Sequence, residues 1–481
     1  MCLEFFVKLI LLFCNRGMLP RNLFLTALSF SFVMLVCLQA KLSQRPVHHL
    51  DLDFLYVTPP NDSEVTRDEV LSYQERVKRV MEQQAFRHPL VGHKHGSLWF
   101  SKGLMLPWFM MGGEVRPSNV RSRNRSIWPR ESSDDRIVDQ LMYLPPLYSH
   151  PNTNESKLKT IVLHGDWDDF KQGRQLFTRS KCPVDRCQVF RKETLKNMQG
   201  KDVDAMVFKD YMPDIPRTDP KQIWILHLLE NPMHTAITGP PGVINWAATY
   251  RSDSVIVTPF AKFVLFDPLV KQLPLMGRNF AKGKKKMVAW FVSNCFASNW
   301  RLEYAKELGK YVQVDIYGQC GPLKCDRHDQ ERCLQMLDRD YKFYLSFENA
   351  NCKDYITEKF YNALWHNVVP IVMGASPDEY RKAAPFHSYI HVDDFESPKD
   401  LARYLKVLDS NSTLYSEYFV WKGTGEFINT FFWCRLCALL HAPRPPSQSS
   451  NYYEDVGTWW HHGTCRTPKH SKKWLVTTSR D

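Results

Sequence analysis

The chain has 481 residues, which exceeds one compact core at about 100–200 residues per domain and indicates two or three folding units. Hydrophobic residues make up 44% and charged residues 24%, so wholesale disorder is excluded because enough apolar surface is available for burial. The formal net charge of +12 suits nucleic acid, anionic lipid or a phosphate-bearing ligand, and charge alone does not choose among them.

The first 40 residues predict a membrane anchor. Residues 23–40 carry no charged side chain over 18 positions, which as a helix is about 27 Å and close to the thickness of the hydrocarbon core. A cleaved signal peptide is the alternative, but Leu38-Gln39-Ala40 is a poor small-x-small cleavage site and the apolar run is long for one. We therefore expect a cytoplasmic tail over 1–22, an uncleaved signal-anchor over 23–40 and a lumenal body.

Cysteines and glycosylation sequons agree with a body in the secretory lumen. Of the 13 cysteines, ten lie beyond the anchor, an even number that favours disulfide pairing in an oxidising compartment. Cys434-x-x-Cys437 could also bind zinc, but no second close pair with metal-ligand spacing accompanies it, so a disulfide is favoured. Sequons predict N-glycosylation of Asn61, Asn124, Asn154 and Asn411.

The rest of the chain divides by composition into a stem, two α/β domains and a tail. Residues 41–157 are polar and rich in Pro, Ser and Arg, which is typical of a stem. Within it, the run 98–111 is apolar enough to dock on the body, and a satellite cluster packed under a loop is the favoured interpretation. Apolar runs alternate with amphipathic stretches and predict two doubly wound domains facing a cleft, at 158–285 and 286–440, before a C-terminal extension over 441–481. The predicted strands are 160–163, 205–208, 223–229, 287–292, 312–317, 343–347 and 368–373, and Ser397-Pro398 is expected to open a helix to about Leu408.

The densest chemical signal lies at 343–374. Its pattern predicts a buried strand, a polar loop, a helix and a second buried strand, with Asp354 as the helix N-cap. Such a helix start suits a phosphate. Tyr355 and Lys359, four residues apart, are expected to share one helix face and so to place an aromatic surface and a cation beside one anion. From the residues alone, Glu358 and Lys359 could equally be solvated helix residues, and Tyr355 a packing residue.

This segment resembles the donor-site signature of the α1,3-fucosyltransferases, type II Golgi enzymes of the GT-B architecture. The matching residues are Ser346-Phe347-Glu348-Asn349, Asp354 to Phe360, Val369-Pro370-Ile371 and Gly374, within a similarity that covers about 160–440. The tail, with residues 459–466, and the long stem are most similar to the insect core α1,3-fucosyltransferases, which modify the innermost GlcNAc of N-glycans. The resemblance implies α1,3 transfer of fucose from GDP-fucose by a single-pass type II protein of the Golgi membrane.

The resemblance also implies site residues. It assigns donor binding to Arg301, Asn349, Tyr355, Glu358 and Lys359. Arg301 and Lys359 would supply cations to the diphosphate leaving group. Because the donor is β-linked and the product α-linked, the reaction inverts and one carboxylate must accept the acceptor hydroxyl proton. Glu230, at the end of the predicted strand 223–229, matches the family's Glu-x-Pro position and is the expected catalytic base, whereas Glu348 is less suited because its segment serves the donor.

The sequence also offers weaker signals for other ligands and functions. Asp-x-Asp strings at 166–168, 202–204 and 338–340 are weak metal signals, and we expect no obligatory metal, with a divalent cation such as Mn²⁺ at most stimulating activity. Nucleic acid is not an expected partner, since the basic run 282–286 lacks interleaved aromatics and is better explained as a domain linker. The expected partners are GDP-fucose, an N-glycan on a glycoprotein and the Golgi membrane. Two alternatives stay open: a Lewis-type enzyme acting on antennary N-acetyllactosamine, and a catalytically silent, membrane-anchored glycan-binding protein.

Overall fold

The computed structural model describes residues 106–149, 158–167, 170–197, 203–213, 215, 219–266, 278–325, 329–443 and 453–467. The predicted anchor at 23–40 and the sequons at Asn61 and Asn154 lie outside these residues. Across the described ranges, no helix is both long enough and apolar enough to cross a membrane.

The described residues form an α/β fold with long parallel strands. The strands are β1 (Lys159–His164), β2 (Cys187–Arg191), β3 (Ala205–Lys209), β4 (Ile223–Leu228), β5 (Trp246–Thr249), β6 (Ile256–Val257), β7 (Lys262–Leu265), β8 (Lys286–Phe291), β9 (Val314–Tyr317), β10 (Tyr341–Phe347), β11 (Val369–Met373), β12 (Ile390–His391) and β13 (Gly425–Ile428). The helices are Asn119–Ser122, Ile137–Leu141, Gln175–Arg179, Arg301–Leu308, Gln330–Asp340, Glu358–Trp365, Pro377–Ala383, Pro398–Ser410, Ser412–Glu417, Phe432–His441 and Val456–His461.

Two parallel sheets organise the fold, as the alternating apolar runs predicted. The first sheet has the strand order β2-β1-β3-β4-β5-β6 and the second has β12-β11-β10-β8-β9, while β7 and β13 form a separate antiparallel pair. Strands β4 and β10 are buried at every position, which explains their nearly continuous apolar sequences. Each predicted strand is present within a few residues of its expected bounds. The helix expected after Ser397-Pro398 is also confirmed, and the Ser397 hydroxyl accepts from the backbone N–H of Asp400.

Residues 106–149 belong to the core of the first sheet, so the predicted stem over 41–157 is wrong for this part. Trp108 is buried, and its indole N–H donates to the carbonyl of Leu141 at 3.1 Å. The buried Arg136 donates to the carbonyls of Ser252 and Ser254 at 2.9 and 2.7 Å. Polar composition suggested a stem, but these polar side chains satisfy backbone carbonyls inside the body. Within the run 98–111, Trp108, Phe109 and Met110 belong to the main core cluster around the first sheet, so the favoured interpretation of a satellite cluster is wrong for these residues.

The chain returns to the first sheet after completing the second. The ten cysteines beyond the predicted anchor form the disulfides Cys182–Cys434, Cys187–Cys437, Cys295–Cys320, Cys325–Cys333 and Cys352–Cys465. The first two tie helix Phe432–His441, which sequence analysis placed at the end of the second domain, to the first sheet. Disulfide pairing of Cys434 and Cys437 is confirmed, although each bonds a cysteine far away along the chain.

Candidate functional site

The carboxyl ends of two interior strands meet in one site. Glu230 follows the end of β4 by two residues, and Asn349 follows the end of β10 by two residues. The side-chain amide of Asn349 lies 3.4 Å from Oε1 of Glu230. Ligands of open parallel sheets bind beyond the carboxyl ends of their strands, so this meeting point is where a ligand of either sheet would lie.

One oxygen of Glu230 collects several hydrogen bonds. Its Oε1 accepts from the backbone N–H of Asn231 at 2.9 Å, the side-chain amide of Asn231 at 2.5 Å and the hydroxyl of Tyr355 at 2.7 Å. Burial alone would raise the pKa of this carboxyl, but these donors, with Asn349 and the nearby His234, outweigh burial and lower its pKa. None of the described residues donates a hydrogen bond to Oε2. Glu230 is therefore an ionised carboxylate whose hydrogen bonds from described residues all go to one oxygen, Oε1.

Asn231 and His234 are site residues that sequence analysis missed. The Asn231 side chain is fully buried, and its Nδ2 lies 2.9 Å from Oδ1 of Asn349 and 3.0 Å from Nδ1 of His234. Nδ1 of His234 is 3.7 Å from Oε1 of Glu230. The sequence offered one signal for these two residues, which is that they follow Glu230 by one and four positions. Their convergence on Asn349, which belongs to the second sheet, depends on tertiary structure.

Tyr355 lies in the loop before a helix and not on the helix itself. The helix begins at Glu358, so the predictions that Asp354 is its N-cap and that Tyr355 and Lys359 share one helix face are wrong. Asp354 adopts a left-handed backbone with a φ of 56°. Its Oδ2 accepts from the backbone N–H and the hydroxyl of Ser252 at 2.8 and 2.7 Å. The carboxylate that was expected to cap the helix thus joins the loops that follow β5 and β10.

Glu348 is enclosed within the second domain. Its side chain is fully buried and accepts from the backbone N–H of Thr357 at 2.8 Å and from the Thr357 hydroxyl at 2.9 Å. Gly374 packs so closely that a Cβ at this position would lie 2.7 Å from Cγ of Glu348, which explains the glycine of the motif. A carboxylate held this way anchors the start of the helix and is closed to an acceptor sugar.

Lys359 is a charged but paired cation. Its Nζ lies 3.2 Å from Oε2 of Glu348 and 3.1 Å from Oε1 of Glu358. Burial alone would lower the pKa of the Lys359 ammonium, but these carboxylates outweigh it and raise the pKa, so the side chain stays protonated. The Glu358 side chain is about half exposed at 51%, so it can exchange its ion pair for a ligand more readily than the buried Glu348 can.

Arg301 is more enclosed than a direct phosphate contact would require. The side chain is buried, and its guanidinium donates to the carbonyl of Phe347 at 2.8 Å and to that of Asn294 at 2.9 Å. Its Nε has no hydrogen-bond partner among the described residues. The structure thus joins Glu230, Asn349 and Tyr355 directly, pairs Glu358 with Lys359, and places Arg301 against the end of β10.

Two of the predicted glycosylation sites lie among the described residues. Asn124 and Asn411 are exposed, and Oδ1 of Asn411 caps helix Ser412–Glu417. Glycosylation of these asparagines stays a prediction.

One group of side chains has the spacing of metal ligands. Ligand atoms of Cys187, Cys437 and His441 lie within 4.8 Å of one another, but the two cysteines are joined to each other in a disulfide and offer no thiolate.

Comparisons with known proteins show the family of the chain. Two family profiles match the chain: "Fucosyltransferase, N-terminal" over 156–261 and "Glycosyltransferase family 10 (fucosyltransferase) C-term" over 281–459. The Drosophila melanogaster "Glycoprotein 3-alpha-L-fucosyltransferase A" is 48% identical over 378 residues, covering 75% of this chain and 74% of the relative. The "Alpha-(1,3)-fucosyltransferase C" of the same species is 33% identical over 322 residues, covering 62% of this chain and 74% of the relative.

A solved structure of an "alpha1,3-Fucosyltransferase with GDP" is 16% identical and covers 66% of this chain and 100% of its own, with a TM-score of 0.41, a likeness too distant to carry an argument. The sequence matches to the two halves of the family and to the two relatives carry the assignment instead. The chain belongs to glycosyltransferase family 10, the fucosyltransferases.

Proposed function

We propose that the chain moves fucose from GDP-fucose in α1,3 linkage to the innermost GlcNAc of N-glycans. The observation that carries this proposal is Glu230, an ionised carboxylate held at the meeting point of the two sheets by Asn349 and Tyr355. The glycoprotein acceptor is supported by the 48% identity to a relative named for that activity. In this proposal the enzyme has the GT-B architecture and sits in the Golgi membrane through a single span at 23–40, with its body in the lumen.

The proposed base is Glu230, acting through Oε2. As the acceptor hydroxyl attacks the anomeric carbon, the proton of that hydroxyl becomes acidic and passes to the carboxylate while the bond from fucose to GDP breaks. Attack from the face opposite the leaving group inverts the anomeric configuration. Hydrogen bonds to Oε1 fix the orientation of the carboxylate and leave the other oxygen to the acceptor. In this arrangement, Oε1 holds the carboxylate in place and Oε2 accepts the proton.

The proposed donor site is the second domain, with Asn349, Tyr355, Glu358 and Lys359, and with Arg301 behind them. Lys359 is protonated, and the exposed Glu358 that pairs with it can turn to the ribose hydroxyls when a diphosphate takes its place. The cation then stabilises the charge that develops on the leaving group. Arg301 holds the carbonyl at the end of β10 and contributes its charge from there. Because Lys359 and Arg301 supply the positive charge near the diphosphate, we expect a divalent metal to stimulate transfer at most.

The acceptor is tested by offering the purified enzyme GDP-fucose with both a core N-glycan glycopeptide and free N-acetyllactosamine. Mass spectrometry of the products should show one α1,3-linked fucose on the innermost GlcNAc of the glycopeptide. Transfer to N-acetyllactosamine alone would replace the proposed acceptor with an antennary one. Absence of both transfer and donor hydrolysis would favour a catalytically silent glycan-binding protein.

A further inference from the structure

The C-terminal segment, defined as residues 453–467, contacts both loops that build the site. Its Trp460 is fully buried, and the indole N–H donates to the hydroxyl of Thr235 at 2.8 Å. The backbone N–H of Ile237 donates to Nε2 of His461 at 3.2 Å, and a Cβ at Gly457 would lie 2.8 Å from the Ile237 carbonyl. Thr235 and Ile237 belong to the loop that begins at Glu230. The C-terminal segment therefore packs against this loop and hydrogen bonds to it.

The same segment is bonded to the loop that carries Asn349 and Tyr355. Cys465 forms a disulfide with Cys352, and two backbone hydrogen bonds flank it. The N–H of Lys353 donates to the carbonyl of Thr464 at 2.8 Å, and the N–H of Arg466 donates to that of Asn351 at 2.7 Å. The loop is therefore bonded to the C-terminal segment between Asn349 and Tyr355, its two residues that donate hydrogen bonds to Glu230.

A line of aromatic contacts runs from the C-terminal segment to the proposed base. The ring centroids of Trp460 and Tyr250 are 5.6 Å apart, and those of Tyr250 and Tyr355 are 5.1 Å apart. The hydroxyl of Tyr355 then donates to Glu230 at 2.7 Å. On the first-domain side, the guanidinium of Arg251 lies 3.9 Å from the ring centroid of Trp459. Buried side chains have little free volume in which to shift, so a displacement of one packed ring displaces the next.

We propose that the C-terminal segment is a positioning element of the active site, which holds the loop of Asn349 and Tyr355 against Glu230 through Trp460 and the Cys352–Cys465 disulfide. In the described part of the chain, the hydrogen bonds to Glu230 come from Asn231, Asn349 and Tyr355, and not from the C-terminal segment. The segment residues act through Tyr355 and Asn349, and this inference rests on the proposed role of Glu230 as base. It gives a function to part of the C-terminal extension, 441–481, which the sequence set apart from both domains.

The pH dependence of transfer reports this positioning. The titratable groups near Glu230 are His234 on its own loop, Tyr355 from the second domain, Tyr250 after β5 and Asp210 after β3. If the loop loosens, Glu230 loses the donors from Tyr355 and Asn349, and its pKa rises because the charged form loses hydrogen bonds. The acid limb of kcat then moves to higher pH, which a mere loss of stability does not produce.

The test compares the full-length chain with the double variant Cys352→Ser/Cys465→Ser, expressed in a secretory host. We expect kcat on the core glycopeptide to fall about tenfold or more, with the acid limb displaced upward. The matched control is Cys325→Ser/Cys333→Ser, which removes another disulfide of the second domain. A Cys352 and Cys465 variant whose kcat and acid limb equal those of this control would overturn the inference.

A second variant covers the case in which the double variant does not fold. Trp460→Phe keeps an aromatic ring in the buried position but loses the hydrogen bond to Thr235. We expect a smaller decrease in kcat and a displacement of the acid limb in the same direction. If Trp460→Phe lowers only the melting temperature, the segment is merely structural. A wild-type chain without transfer would refute the proposed function itself, so the two failures are distinguishable.

Discussion

At the scale of single residues, hydrogen bonding outweighs burial at the proposed base. Glu230 is partly buried, yet its pKa is lowered because Asn231, Tyr355 and Asn349 donate hydrogen bonds toward one carboxylate oxygen, with His234 nearby. The residue is ready to accept a proton across the neutral range, and its charge depends on partners from both sheets. This dependence makes the pH profile of the enzyme a direct report on the site.

Tyr355→Phe should therefore raise the pKa of Glu230. The variant removes one donor from the charged form, so the carboxylate becomes easier to protonate and the acid limb of kcat should move to higher pH. The measurement is kcat against pH at saturating GDP-fucose, which separates this effect from weaker donor binding. A limb that stays in place or moves to lower pH would contradict the hydrogen bond seen between Tyr355 and Glu230.

Lys359→Ala should impair use of the donor more than use of the acceptor. Removal of the cation should cost about 2–4 kcal/mol of transition-state stabilisation, measured as the decrease in kcat/KM for GDP-fucose. The melting temperature should also fall, because Glu348 stays buried after losing its ion-pair partner. Lys310→Ala is the control, since the exposed Lys310 forms an ion pair with Glu307 just beyond the C-terminal end of helix Arg301–Leu308. Donor kinetics like those of the control would refute the role of Lys359.

Arg301→Ala should behave differently from Lys359→Ala. The guanidinium of Arg301 is buried against the carbonyls of Phe347 and Asn294, so its loss leaves buried acceptors unpaired. We expect weaker donor use together with a lowered melting temperature, measured by GDP-fucose kinetics and thermal unfolding. Normal stability with impaired donor use would mean that Arg301 contacts the diphosphate directly. Normal values of both would exclude any role at the site.

At the scale of elements, the sequence predicts long buried strands well and short or polar elements poorly. Strand β4 is apolar and buried throughout, so its sequence alone identifies it. Strand β6 spans only Ile256–Val257 and β2 carries Gln188 and Arg191, so neither shows a clear pattern. The stem prediction over 106–149 failed for a related reason, because buried carbonyls to which Arg136 and Gln140 donate lie more than 100 positions away in the chain.

The position of 106–149 changes the expected boundary of the active fragment. A fragment that starts at Leu158 lacks Arg136 and Gln140, which donate to the buried carbonyls of Ser254 at 2.7 Å and Val255 at 2.9 Å. Buried carbonyls without partners are costly, so this fragment should fold poorly and lose transfer. A fragment that starts at Leu106 should be secreted, folded by circular dichroism and active. Full activity of the shorter fragment would show that 106–149 is dispensable.

At the scale of the whole molecule, the site is a junction of distant segments. The sequence located Glu230 and the donor loop separately, since each follows a recognisable strand and resembles a family signature. It could not show that Asn231 and Asn349 hydrogen bond to each other, that Cys465 bonds Cys352, or that 453–467 lies behind both loops. Such contacts depend on how the two sheets pack in the tertiary structure, which local patterns of the sequence do not predict.

The central claim is that a residue of the first domain performs proton transfer while the second domain holds the nucleotide. Glu230→Gln tests it most directly, because the amide keeps size and hydrogen bonding but cannot take a proton. Calorimetric titration with GDP and turnover on a core glycopeptide should be measured on the same preparation. We predict a loss of turnover of about 10²–10⁴-fold with GDP affinity nearly unchanged. More than about a tenth of wild-type turnover, or loss of GDP binding together with activity, would contradict the account.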